Sequence, residues 1–229
     1  NGNDDMSIFF NAYDGGAGTA VPFSEGFEST FPATNWSVSN PNNDLTWVQN
    51  TGYGAYGSSS SCASINNSGY AANPNKKKDA IVTDAYDLSS VTYPELKFDV
   101  AYARRDSAHY DSLNVYYSLN CGSDWTRVWS QSGSTLATAP DQSVLFTPAT
   151  NQWKTVTLAL PTVTGGQNKV SIKFENVSGW GNALYLDNIN LQNDPALAVN
   201  DIPRADVKVF PNPASGLVAV RMPFNNPFN

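Results

Sequence analysis

The chain has 229 residues, and its 6 Trp, 11 Tyr and 11 Phe supply enough aromatic area for a sizeable core, while only 14% of residues are charged. A net charge of −7 argues against a nucleic-acid partner, because phosphate binding needs clustered Lys and Arg. No apolar run approaches the ~18 residues a membrane helix needs, and the Asn, Ser, Thr and Gly content suits a β-fold with long polar loops better than a helical enzyme.

Residues 1–20 read as the end of an upstream module or a linker. Met6-Ser7-Ile8-Phe9-Phe10 has strand character, and Asp14-Gly15-Gly16-Ala17-Gly18 is flexible. The chain starts at Asn1 without Met or a leader, and is read as a piece or processed form of a longer protein. From residue 21 to 193 the expectation is an all-β, two-sheet antiparallel sandwich, most simply a jelly roll. Leu96, Phe98, Val100 and Tyr102 alternate with polar or small residues. So do Leu113, Val115, Tyr117 and Leu119; Val156, Leu158 and Leu160; and Val170, Ile172 and Phe174. Each run has the period of a strand with one buried face. Asn120-Cys121-Gly122, Thr164-Gly165-Gly166 and Gly179-Trp180-Gly181 are the turns between them. Lys76-Lys77-Lys78, the one basic run, reads as a solvated loop.

Chemistry is sparse. His109 is the only histidine, no His-Glu-x-x-His zinc motif exists, and nothing groups a nucleophile with a base. Catalysis within this chain is therefore not expected. Cys62 and Cys121 sit in polar, turn-like segments, and a disulfide between them is expected, two free thiols being the alternative. Tyr53, Tyr56, Tyr70 and Trp180 lie in Gly/Asn/Ser-rich loops. They are either sugar-stacking faces or plugs closing the sandwich ends. Alternation puts Asp187 on one face with Tyr185, Ile189 and Leu191, where a carboxylate needs a metal or a strong donor set. The opposite face, with Leu184 and Leu186, is equally apolar, so a surface Asp is the other reading. Asp106-Ser107-Ala108 and Asp111-Ser112-Leu113 resemble a short O-glycan acceptor pattern of Bacteroidota, a three-residue pattern frequent by chance.

Residues 194–205, with Asp194-Pro195 and Ile202-Pro203, form a linker. Residues 206–229 follow as a small β unit: Val207-Lys208-Val209-Phe210 alternates, and Pro211-Asn212-Pro213-Ala214-Ser215-Gly216 turns into a second run from Leu217 to Met222.

Two resemblances attach to these motifs. The tail, with Val207, Val209, Phe210, Pro211, Asn212, Pro213 and Gly216, resembles the start of the type A C-terminal sorting domain of Bacteroidota cargo of the type IX secretion system. That resemblance implies a secreted or cell-surface protein, reached through the periplasm and outer membrane. It implies three partners: the outer-membrane translocon, a shuttle barrel and a sorting protease. The order Phe23-Ser24-Glu25-Gly26-Phe27-Glu28, Asp44-Leu45-Thr46-Trp47, residues 79–88 and Leu184-Tyr185-Leu186-Asp187-Asn188-Ile189 is similar to jelly-roll modules of the MAM and cleaved-adhesin types. The run 118–129 looks like accessory modules of pappalysin-like metalloproteases. These families imply a non-catalytic adhesin-like module, or alternatively a carbohydrate-binding module of a secreted hydrolase or protease, with surface glycans or proteins as partners. They also imply a structural Ca2+ tying the first strand to the last, at Glu25 and Asp187, with Asp44 and Asp79 from loops and Glu28 and Asp111 in reserve.

Overall fold

The computed structural model describes residues 16–70, 72, 74 and 76–194, together with two backbone strands of the tail, Lys208–Phe210 and Ala219–Arg221. The chain divides into two compact units between Asp194 and Pro195.

The first unit is a sandwich of two sheets. One contains β1 (Thr19–Ala20), β3 (Ser37–Ser39), β6 (Lys78–Asp87), β8 (Ser112–Ser118), β9 (Thr126–Ser132) and β11 (Val170–Val177). Its order is β1-β6-β11-β8-β9, with β3 also on β6. The other contains β2 (Phe23–Glu25), β4 (Val48–Asn50), β5 (Cys62–Asn66), β7 (Pro94–Tyr102), β10 (Lys154–Ala159) and β12 (Ala183–Asn193). Its order is β10-β7-β12-β5-β4, with β2 also on β12. All pairings are antiparallel except β1 on β6. The expected all-β sandwich is the observed architecture.

The alternating runs turn inward as their period dictates. Phe98, Val100 and Tyr102 of β7 meet Val115 of β8 and Ile172 and Phe174 of β11 in one core. Phe98 sits edge-on to Phe174 at 5.3 Å and to Trp129 at 5.5 Å. A second, smaller core covers the outer face of the second sheet. There Tyr185, Ala183, Ala101 and Cys62 meet Phe146, Trp153 and Ala55 from overlying loops.

The last strand departs from simple alternation. β12 carries an irregularity between Asp187 and Asn190, and Asn188 takes a left-handed φ of 47°. One extra residue flips the side-chain parity. Ile189 and Leu191 therefore join Leu184 and Leu186 in the main core, while Asp187 faces outward with Tyr185. The expectation that Asp187 shares a face with Ile189 and Leu191 is corrected accordingly.

In the second unit the two tail strands, β13 (Lys208–Phe210) and β14 (Ala219–Arg221), pair antiparallel, with Val209 opposite Val220. Val207, Pro211, Asn212, Pro213 and Gly216 lie outside the described residues, as do residues 1–15.

Candidate functional site

The outer edge of the bulge on β12 gathers oxygen atoms. Asp187 is fully buried, and its Oδ2 accepts from the Ala55 amide and the Ser59 hydroxyl, both at 2.7 Å. Its Oδ1 accepts from the Asn188 amide at 2.7 Å. Asp99 stands opposite on β7 and accepts from the Asn188 side chain at 2.7 Å. Glu28 closes the group from the N-terminal segment. Its carboxylate accepts from the Ser60 and Ser61 amides at 2.7 and 3.0 Å and from the Ser60 hydroxyl at 2.7 Å. Hydrogen bonds from Ser60 hold the Glu28 carboxyl down at about 2, whereas burial pushes Asp187 upward.

The Ser59 hydroxyl is the hinge of this group. Its Oγ lies 2.7 Å from Asp187 Oδ2, 2.9 Å from Glu28 Oε1 and 3.0 Å from the Ser61 carbonyl. One hydroxyl carries one proton. At most one of these three contacts is a donated hydrogen bond; the others bring oxygen against oxygen. A proton on one carboxyl or a hard cation relieves that crowding. Two carboxylates, a hydroxyl and a carbonyl suit an oxygen-seeking ion such as Ca2+. Among the described residues no three His, Cys, Asp or Glu side chains converge on one metal position, so the fit rests on neutral oxygens beside two carboxylates.

Of the expected ligands Glu25, Asp44, Asp79 and Asp187, the structure places Asp187 in this group and the other three in different hydrogen bonds. Glu25 lies opposite Ile189 on β2, but its Oε1 turns back to the Phe27 amide. Asp44 ion-pairs with Lys77. Asp79 is buried on β6, in the other sheet, where Tyr70 Oη donates to Oδ2 at 3.3 Å. Burial pushes Asp79 up to about 6. Glu28, the reserve candidate, is the carboxylate that reaches Asp187 through Ser59. Asp111, the other reserve, is committed elsewhere: it accepts from the amides of Gly179, Gly181 and Asn182 and anchors that loop. Nothing in the sequence marks out the serines 59–61. They become informative only when the chain folds them over β12.

The expected disulfide is absent. Cys62 and Cys121 are both free. Cys62 is fully buried on the outer side of β5, its thiol pushed up to about 12 by burial and by Asp187 and Glu28. Cys121 is exposed in the β8–β9 turn, at a φ of 55°. The two belong to different sheets, one on a central strand and the other at a hairpin tip.

The loop aromatics do not form a shared platform. Tyr53 packs edge-on to Tyr185 at 6.2 Å, and Tyr56 donates to the Trp153 carbonyl. Tyr70 is buried over Asp79, and Trp180 donates to the Tyr70 carbonyl at 3.2 Å. His109 is engaged by Asp106 at 2.9 Å and lies edge-on to Trp180 at 5.7 Å.

No protein-family model and no curated protein sequence matches the chain. Solved structures do. The K1 cleaved adhesin domain of Lys-gingipain from Porphyromonas gingivalis W83 aligns at a TM-score of 0.56 and 20% identity, covering 76% of this chain and 99% of that one. The K3 cleaved adhesin domain of the same protein aligns at 0.53 and 20%, covering 75% and 98%. The K2 domain aligns at 0.51 and 22%, covering 75% and 99%. The sandwich of this chain is thus similar in fold to nearly the whole of each adhesin domain.

Proposed function

We propose that residues 16–194 form a non-catalytic, adhesin-like recognition module of a secreted or cell-surface protein, and that residues 206–229 are the opening of a type IX sorting domain. The observation that carries the first half is the near-complete structural overlap with three cleaved adhesin domains. The second half is supported by the Pro-Asn-Pro-Ala text of the tail and by the antiparallel pairing of β13 and β14 on either side of it. On this reading the partners of the tail are the outer-membrane translocon, the shuttle barrel and the sorting protease.

The module meets a surface ligand, glycan or protein, and the oxygen node at Glu28, Ser59 and Asp187 takes up Ca2+. The ion fastens the segment after β2, the loop 52–61 and β12 to one another. A ligand held only by the folded state stabilises it by about 2.7 kcal/mol at 100-fold excess over its dissociation constant. Chelator should lower the melting temperature of the wild type and leave that of Asp187→Asn unmoved. An unchanged wild-type melting curve would remove the ion from the proposal.

Two measurements test the reading as a whole. The purified module should bind cell surfaces saturably and leave the bound material chemically intact. A folded reporter carrying residues 194–229, with any native extension, should reach the outside of a type IX-competent host. Failure of saturable binding sinks the adhesin-like assignment, and retention of the reporter in the envelope sinks the sorting assignment.

A further inference from the structure

The outer face of the first sheet carries a side-chain arrangement that the adhesin-like reading leaves unused. Strand register sets out its rows. Lys173 on β11 stands opposite Tyr116 on β8, which stands opposite Arg127 on β9. In the next row Glu175 stands opposite Asn114, which stands opposite Ser130. Trp125, just before β9, leans over the first row. The Lys173 ammonium lies 4.4 Å from the Tyr116 ring centroid and 4.7 Å from that of Trp125.

Three features set this face apart from an ordinary solvated surface. Lys173 is half-buried, burial pulls its ionisation downward, and among the described residues no carboxylate lies within ion-pair distance of it. Arg127, exposed beside Tyr116, likewise has no carboxylate partner among the described residues. A half-desolvated cation set against aromatic faces, with Glu175 acting on it only from the next row, attracts an anion more strongly than a solvated one. Second, the polar groups beside it are pre-set. Glu175, only 9% exposed, accepts from Tyr116 Oη at 3.0 Å and Asn114 Nδ2 at 3.2 Å, while Ser130 donates to Asn114 Oδ1 at 2.7 Å. Third, the neighbouring strands are low: Val82 and Ala80 of β6 stand beside Lys173 and Glu175, with Ser37 and Ser39 of β3 beyond them. The tall aromatic side thus rises beside a lower floor, at whose far end Lys78 of β6 reaches Glu175 Oε1 at 3.6 Å.

We propose that this face binds a carboxylate-bearing sugar residue, a hexuronate or a sialate. The proposal rests on the recognition-module reading and names its ligand class. Lys173 and Arg127 receive the sugar carboxylate. The rings of Trp125 and Tyr116 offer an apolar face to the C–H side of the pyranose. Glu175, Asn114 and Ser130 supply the mixed donors and acceptors that sugar hydroxyls require. An extended peptide fits less well. β8 and β11 are paired on both sides, so their backbone has no free edge for strand addition.

The probes are trigalacturonate and sialyllactose, with galactotriose and lactose as neutral counterparts, titrated by calorimetry and by tryptophan fluorescence. At least one acidic probe should bind, at least about tenfold tighter than its neutral counterpart, and binding should weaken with salt. The acidic probe that binds identifies the source. Arg127→Ser, an exposed change, and Lys173→Met should erase the preference for acid, and Trp125→Ala should cost about tenfold or more for any sugar. Unaltered melting of Arg127→Ser keeps its result interpretable if Lys173→Met fails to fold. No binding of either acidic probe at about 10 mM, equal binding of neutral probes, or equal binding of a poly-glutamate peptide overturns the proposal. If Arg127→Ser and Trp125→Ala still bind cell surfaces like the wild type, this face is not the contact and the recognition reading survives. If the wild type binds acidic sugar but no cell surface, the adhesin-like reading falls and the site stands.

Discussion

Asp79 offers the most direct check on the electrostatics of the sandwich. Asp79 is 1% exposed, and burial, outweighing the hydroxyls of Thr46 and Tyr70, lifts it from 3.8 to about 6. The folded protein therefore holds this proton more tightly than the unfolded chain does. Between about pH 4 and 6 the folded state binds more protons, so this group makes stability fall as pH rises through that window. A rise from 3.8 to about 6 corresponds to about 3 kcal/mol of destabilisation once the group is fully ionised, at about 1.36 kcal/mol per tenfold change. Partial access of solvent to this carboxyl reduces that figure to roughly 1–3 kcal/mol. Asp79→Asn keeps the shape and an acceptor for Tyr70 while removing the charge. It should be more stable than the wild type by that amount at pH 8 and equal to it below about pH 4. Urea unfolding of both proteins at several pH values measures the difference. A variant less stable than the wild type at pH 8, by a gap that widens with pH, would show that the folded protein holds the anion rather than the acid. Burial would then not be what governs this carboxyl.

Further outcomes rest on other buried groups. Asp111→Ala leaves the amides of Gly179, Gly181 and Asn182 without their acceptor. It should cost about 3 kcal/mol or more in denaturant melts, with hydrogen exchange rising first at residues 178–182. Native protein treated with a thiol reagent should label Cys121 at once and Cys62 only on unfolding; a single mass consistent with a Cys62–Cys121 bridge would contradict the structure. Phe98→Ala opens the centre of the main core between Trp129 and Phe174, and should lower stability by about 3–5 kcal/mol without changing the fold.

Much of the sandwich is legible in the sequence because β7, β8, β10 and β11 keep an unbroken period of two. Residues such as Phe98, Val115 and Phe174 take the side that period assigns them. β12 is not legible in the same way. The parity flip depends on one left-handed residue, Asn188, and nothing in the text Leu-Asp-Asn-Ile marks it as a bulge. The oxygen node is half legible. Asp187 stands out on its strand, yet Glu25 and Glu28 look alike three residues apart, and only the fold of the serines 59–61 distinguishes them. The cysteine pairing fails because both residues look like loop residues in sequence, while one is a buried strand position and the other a hairpin tip. Trp125, Tyr116 and Lys173 stay hidden for a related reason. They belong to three different segments, and only strand register brings them side by side.

The pairing of β2 with β12 has a mechanical consequence. The two strands run antiparallel, with Phe23 opposite Leu191 and Glu25 opposite Ile189. The chain therefore enters and leaves this pair at the same end. Tension applied through the flanking segments loads the pair as a zipper, and its rungs open one after another rather than sharing the load. Ahead of that zipper stands β1, which runs parallel to β6, with Thr19 opposite Tyr86 and Ala20 opposite Asp87. That short latch rests on two registered pairs, so it has little to resist a pull with. Under tension the latch slides first, and the zipper peels after it. The consequence of this order is that the N-terminal segment leaves the sandwich stepwise, from β1 inward to β2.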